Sequence, residues 1–65
     1  MKRAKLLAYL KEKGCFLVRE GTKHSLYMNS NSQLVSTVPR HREIKDLLAE
    51  KICKDLGIPK IKQDK

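Results

Sequence analysis

The chain has 65 residues, 40% of them apolar and only three aromatic (Tyr9, Phe16, Tyr27); domains of this size bury only about 60% of their unfolded surface. That excludes more than one domain and leaves material for one sheet covered by one or two helices. Fifteen Lys and Arg against seven Asp and Glu give a net charge of +8, which points to a polyanionic partner, and no apolar run nears the ~18 residues of a membrane span.

The first segment, "KRAKLLAYLKEKG", sets Leu6, Leu7 and Leu10 on one helical face with lysines opposite, and holds five basic residues in its first thirteen positions. Gly14 is expected to end this helix in the left-handed conformation. "CFLVRE" is rich in strand formers and alternates Phe16 and Val18 against Cys15, Leu17 and Arg19. Gly21-Thr22-Lys23 then serves as a hairpin connection, with Gly21 able to take a positive φ.

A second strand, "HSLYMN", alternates Leu26 and Met28 with Ser25, Tyr27 and Asn29, giving one apolar and one mixed face. The turn formers Asn29 to Ser32 mark the next hairpin, and "QLVSTVP" forms a third strand that Pro39 ends. From Arg42 the period returns to 3.6, with Ile44, Leu47, Leu48, Ile52 and Leu56 on one stripe; Gly57 caps this helix and Pro59 stops it. The domain is therefore expected to span residues 1–58, with 59–65 a frayed or disordered tail. The α-β-β-β-α order predicts an α+β fold, a three-stranded antiparallel sheet with two helices on one face, the layout of double-stranded RNA-binding domains.

Cys15 and Cys53 sit inside periodic apolar patterns where reduced, buried thiols fit, and no signal segment precedes them; this implies the cytoplasm and no disulfide. A zinc site needs closely spaced ligand pairs, whereas these cysteines are 38 residues apart and the two histidines 17 apart. No glycine-rich phosphate loop and no pair of acidic residues at a strand end occurs, so nucleotide hydrolysis and metal-dependent nuclease chemistry both lack their parts. Neither a metal nor another cofactor is expected. Metal-free acid–base chemistry and simple binding remain.

His24 is the candidate for such chemistry. An imidazole both accepts and donates a proton near neutral pH, as phosphodiester cleavage through a 2′-hydroxyl requires. Lys23 and Arg19 lie close enough in sequence to hold the phosphate and stabilise the charge of a pentacoordinate transition state. The alternative for His24 is a packed or surface histidine. In "VPRHRE", Arg40 and Arg42 can contact phosphate near the start of the second helix, with His41 in a minor role or simply on a solvated loop. The lysines of the first helix, Lys5 among them, form a solvated face or a phosphate-tracking one.

The stretches "MKRAKLLAYLKEKGCFLVREG", "GTKHSLY", "VSTVPRH" and "ICKDLGI", in this order and spacing, make the chain resemble the HicA family of toxins from prokaryotic toxin–antitoxin systems. The resemblance implies an mRNA interferase, a small endoribonuclease that binds and cleaves mRNA and is held inactive by a HicB-type antitoxin. It also implies that His24, in the position of the family's catalytic histidine, is catalytic, with Lys23 and Gly21 matching as neighbours. Thr22 stands where members often carry a second glycine, and "IKDLLAEK" lacks the Gly-Thr pair often found at the start of their second helix. Two other classes fit the residues: a non-catalytic RNA-binding module, and a domain whose basic surface docks an acidic protein.

Overall fold

The computed structural model describes residues 1–62. Helix α1 spans Arg3–Glu12, strands β1, β2 and β3 span Cys15–Glu20, His24–Asn29 and Val35–Pro39, and helix α2 spans Asp46–Asp55. The strands pair antiparallel in the order β1-β2-β3, and the two helices cover one face of the sheet, as the sequence predicts. Leu6 and Leu10 of α1 meet Ala49, Ile52 and Cys53 of α2 with Leu56, Cys15, Val38, Ile44 and Ile61 in a single buried cluster. Gly14 (φ +86°) and Gly57 (φ +72°) end the helices in the left-handed region, where a side chain is strained.

Three features go beyond the pattern read from the sequence. Helix α2 starts at Asp46, four residues later than the apolar pattern suggests, because Met1 and Ile44 exchange backbone hydrogen bonds (2.8 Å each) and hold Ile44 in an extended segment. The buried stripe is consequently Ala49, Ile52, Cys53 and Leu56, spaced i, i+3, i+4, i+7. Leu47 faces away and is 81% exposed, with Leu48 on the margin. Second, strand β2 turns its mixed face to the helices: Ser25 and Asn29 are buried and Tyr27 half-buried. Leu26 and Met28 lie on the opposite, open face, paired with Thr37 and Val35 of β3.

Third, residues 59–62 are exposed except at one position. Ile61 is buried, and the Tyr9 hydroxyl donates to the carbonyl of Pro59 (2.8 Å). The expectation of a frayed tail otherwise falls on residues 63–65, which lie outside the described residues. Ile61 thereby joins the buried cluster from beyond Pro59, a position that lone periodicity in "KIKQDK" does not signal.

Because the helix-facing side of β2 is polar, its side chains need partners. The Asn29 side-chain amide donates to the Leu56 carbonyl at the end of α2 (2.7 Å), and its oxygen accepts the Asn31 N–H (2.9 Å). One residue thereby closes the last turn of α2 and shapes the β2–β3 connection. Asn29→Ala leaves the Leu56 carbonyl without this donor and should lower the unfolding free energy by about 1–3 kcal/mol, read as a lower urea midpoint.

Cys15 and Cys53 are free and buried. Burial pushes both thiols above their ordinary range, reinforced at Cys15 by the neighbouring Cys53 and at Cys53 by Glu50, while a backbone hydrogen bond from Ile61 pulls Cys53 the other way. A raised folded-state value means the thiol contribution to stability is complete below the unfolded pKa of about 8.5 and is lost as pH rises through the folded value. Iodoacetamide at pH 8 should therefore alkylate neither cysteine in the folded protein and both in urea, as mass spectrometry will show.

Candidate functional site

The connection between β1 and β2 is held at three points. The Gly21 N–H donates to the His24 carbonyl (2.7 Å), the Arg40 N–H donates to the Lys23 carbonyl (3.1 Å), and the Arg40 guanidinium donates to the Gly21 carbonyl (3.2 Å). Gly21 does not take the positive φ expected of it. Its requirement is one of space: a Cβ there would stand 2.8 Å from the His24 carbonyl oxygen, a backbone atom that cannot give way. Thr22, by contrast, is an exposed loop residue.

His24 opens β2 and pairs with Pro39 of β3. It is exposed and lies on the open face of the sheet with Leu26 and Met28. Arg19 reaches the same side through a bulge: β1 slips one residue between Leu17 and Arg19, so that Leu17 pairs with Tyr27 but Arg19 pairs with Leu26. Plain alternation would leave Arg19 on the face of Cys15 and Leu17, facing the helices; the extra residue, Val18, re-aims it. Arg19, Lys23 and His24 then line one pocket of about 230 Å³ with Gly21, Thr22, Leu26 and Thr37. None of these lining residues is acidic.

The same slip sends Glu20 to the helix side, opposite Ser25. There the buried Ser25 hydroxyl donates to the Glu20 carboxylate and accepts from the Arg3 guanidinium (2.8 Å). Arg3 also donates through Nε to the Pro39 carbonyl (2.8 Å). Arg3 therefore joins α1 to the residue that follows His24 and to the residue that pairs with it. Neither Arg3, Ser25 nor Glu20 stands out in the sequence, since a charged residue opening a helix ordinarily faces water. The one available signal is Ser25, a small hydroxyl in a strand whose alternate positions reach the core.

The other predicted residues separate. Arg40 joins the His24 loop. Arg42 does not reach the start of α2, which lies beyond it; its carbonyl accepts the Arg3 N–H (2.8 Å), so its place is beside the N-terminus of α1. His41 is an exposed loop residue. Lys5 lines a different groove, with Tyr9, Lys13, Lys60 and Ile61. Among the described residues no three His, Cys, Asp or Glu side chains come together as metal ligands, and no helix is long and apolar enough to cross a membrane.

A family model for the HicA toxin of bacterial toxin–antitoxin systems matches residues 3–58, from the first residue of α1 past the end of α2. The chain belongs to the HicA toxin family. It is thus the toxin of a toxin–antitoxin pair, with an antitoxin as its partner. No curated protein sequence and no solved structure gives a significant match to the chain. Within this HicA-family fold, Arg3→Met removes the donors to Ser25 and Pro39 while keeping the stem. It should destabilise the protein by about 1–3 kcal/mol and alter the His24 ring resonances in an NMR spectrum, whereas the exposed Lys51→Ala should do neither.

Proposed function

We propose that this HicA-family toxin is an endoribonuclease that cleaves mRNA in the cytoplasm by metal-independent acid–base chemistry, with His24 as its catalytic residue. The observation that carries this reading is the pocket itself: an exposed histidine lining one pocket with Arg19 and Lys23, with no carboxylate among the lining residues. An imidazole in such a setting moves a proton between a 2′-hydroxyl, or the leaving 5′-oxygen, and water. Attack by the 2′-oxygen on the adjacent phosphorus forms a pentacoordinate, more negative phosphorane; departure of the 5′-oxygen leaves a 2′,3′-cyclic phosphate.

Arg19 and Lys23 hold the phosphate oxygens and stabilise the charge that develops on them. The cations need no further proton bookkeeping. Arg40 braces the loop through Gly21, so that its loss disturbs the position of His24 as well as the local charge. Gly21 acts through the tight return of the backbone to His24 and touches no substrate in this scheme.

The same reading extends to the antitoxin. We infer a HicB-type partner that lies over the open face of the sheet, where Phe16 and Val35 are each 47% exposed beside Leu26 and Met28. A partner on this face covers His24 and neutralises Arg19 and Lys23 together. A complex in which His24 keeps full solvent access speaks against this mode of inhibition.

His24→Gln should abolish both growth arrest and RNA decay on induction while leaving the unfolding free energy within about 0.5 kcal/mol of the parent, as expected for an exposed side chain. RNA with a 2′-deoxy linkage at the cut site should resist cleavage, and EDTA should leave the rate unchanged. Retained toxicity and RNA decay in His24→Gln would overturn the assignment. Retained RNA binding without cleavage in the parent protein would favour a non-catalytic RNA-binding module.

A further inference from the structure

Beside the His24 pocket lies a second basic concavity, about 520 Å³, lined by Lys2, Arg3, Ala4, Arg40, Arg42 and Glu43. Backbone pairing builds it. Residues preceding α1 run antiparallel to the segment that precedes α2: Lys2 bridges to Glu43, the Arg3 N–H donates to the Arg42 carbonyl (2.8 Å) and the Ile44 N–H to the Met1 carbonyl (2.8 Å). This short ladder sets Lys2 opposite Glu43 and Arg3 beside Arg42, and so brings Lys2 and Arg42 to one concavity although 40 positions separate them in the chain.

The Arg3 guanidinium is committed to Ser25 and to the Pro39 carbonyl. Lys2, Arg40 and Arg42 are all exposed, and none is in an ion pair among the described residues. Glu43 is the one acid on the lining; the N-terminal ammonium lies 3.9 Å from its carboxylate and 3.3 Å from that of Asp46, so it offsets Glu43 in part. Three cations that form no ion pair among the described residues, set against one partly offset acid, leave the lining net positive and favour an anion there.

Arg40 belongs to both concavities. It lines this one and donates to the carbonyl of Gly21, which lines the other. Arg40 is thus the link between the two concavities.

We infer that Lys2, Arg40 and Arg42 form a second RNA-phosphate subsite, which holds the backbone of the substrate strand beside the linkage that His24 cleaves. This rests on the endoribonuclease reading above and adds to it a division of labour. Arg19 and Lys23 take the scissile phosphate, and Lys2 with Arg42 takes a flanking one. The substrate consequently needs a phosphate beyond the cut linkage, and a dinucleotide is a poor ligand.

The test uses the full chain carrying His24→Gln, so that binding is read without cleavage, and a single-stranded RNA oligonucleotide as probe. Adding Lys2→Gln and Arg42→Gln should weaken binding roughly fivefold or more and make the log affinity against log salt slope shallower by about 0.7, the share of one single-strand phosphate contact. Adding Lys51→Gln and Lys54→Gln removes the same charge from α2 and should change affinity less than twofold. Neutral methylphosphonate linkages scanned along the oligonucleotide should weaken binding at a flanking position with Lys2 and Arg42 present, and lose that effect when both are replaced.

Equal losses in the two double variants would overturn the subsite, leaving only diffuse attraction, with the endoribonuclease reading intact. Unchanged RNA affinity with lost antitoxin binding would also overturn it and assign the concavity to an acidic protein segment. If the parent sequence neither binds nor cuts RNA, the endoribonuclease reading itself fails.

Discussion

Strand β2 presents Ser25 and Asn29 to the helices, and two buried polar side chains in so small a core demand partners that apolar packing cannot supply. The partners come from both helices. Arg3 reaches from the start of α1 to Ser25, and the carbonyl of Leu56, at the end of α2, accepts from Asn29. Each polar group on the central strand thus docks one helix at a defined end and register. The apolar cluster fills the space between these two ties.

This arrangement also explains why the site is where it is. A strand has two faces, and committing Ser25, Tyr27 and Asn29 to the helices leaves His24, Leu26 and Met28 to the open side. The proton-moving candidate therefore shares its surface with apolar side chains and with Arg19. Arg3 reaches the opposite face of the same strand end, at Ser25, while also binding the carbonyl of Pro39. The side chain that anchors α1 is in this way a neighbour of the candidate site through the thickness of one strand.

Much of the fold is legible in the sequence because it depends on local signals: leucines at helical spacing, β-branched and aromatic runs, and Gly14 and Gly57 just past the helix ends. What was not legible depends on pairings distant in sequence. The start of α2 is set by Met1 meeting Ile44, and the burial of Ile61 by what lies above it, neither of which a periodic pattern contains. For the site, His24, Lys23 and Arg19 do come together, but the means by which Arg19 arrives, a one-residue bulge at Val18, is invisible to alternation. Arg40 and Arg42 look equivalent in "VPRHRE". Chain pairing sends one to the His24 loop and the other to the N-terminus of α1. At Gly21 the constraint is a close backbone approach to the His24 carbonyl rather than its φ, which turn chemistry read from the sequence does not reveal.

The bulge has a consequence of parity. In a regular strand, residues 19 and 20 would each occupy the face opposite to the one they have, so a single inserted position exchanges a cation and an anion across the sheet. Arg19 gains the open side, and Glu20 gains the hydroxyl of Ser25. The odd residue is thus a switch with two outputs: it sets the sign of the electrostatic field over the exposed face and at the same time completes the hydrogen-bonded network behind it. Insertions or deletions of one residue in β1 disturb both together, while changes of two preserve both, so the tolerance of this strand to length variation should alternate between even and odd.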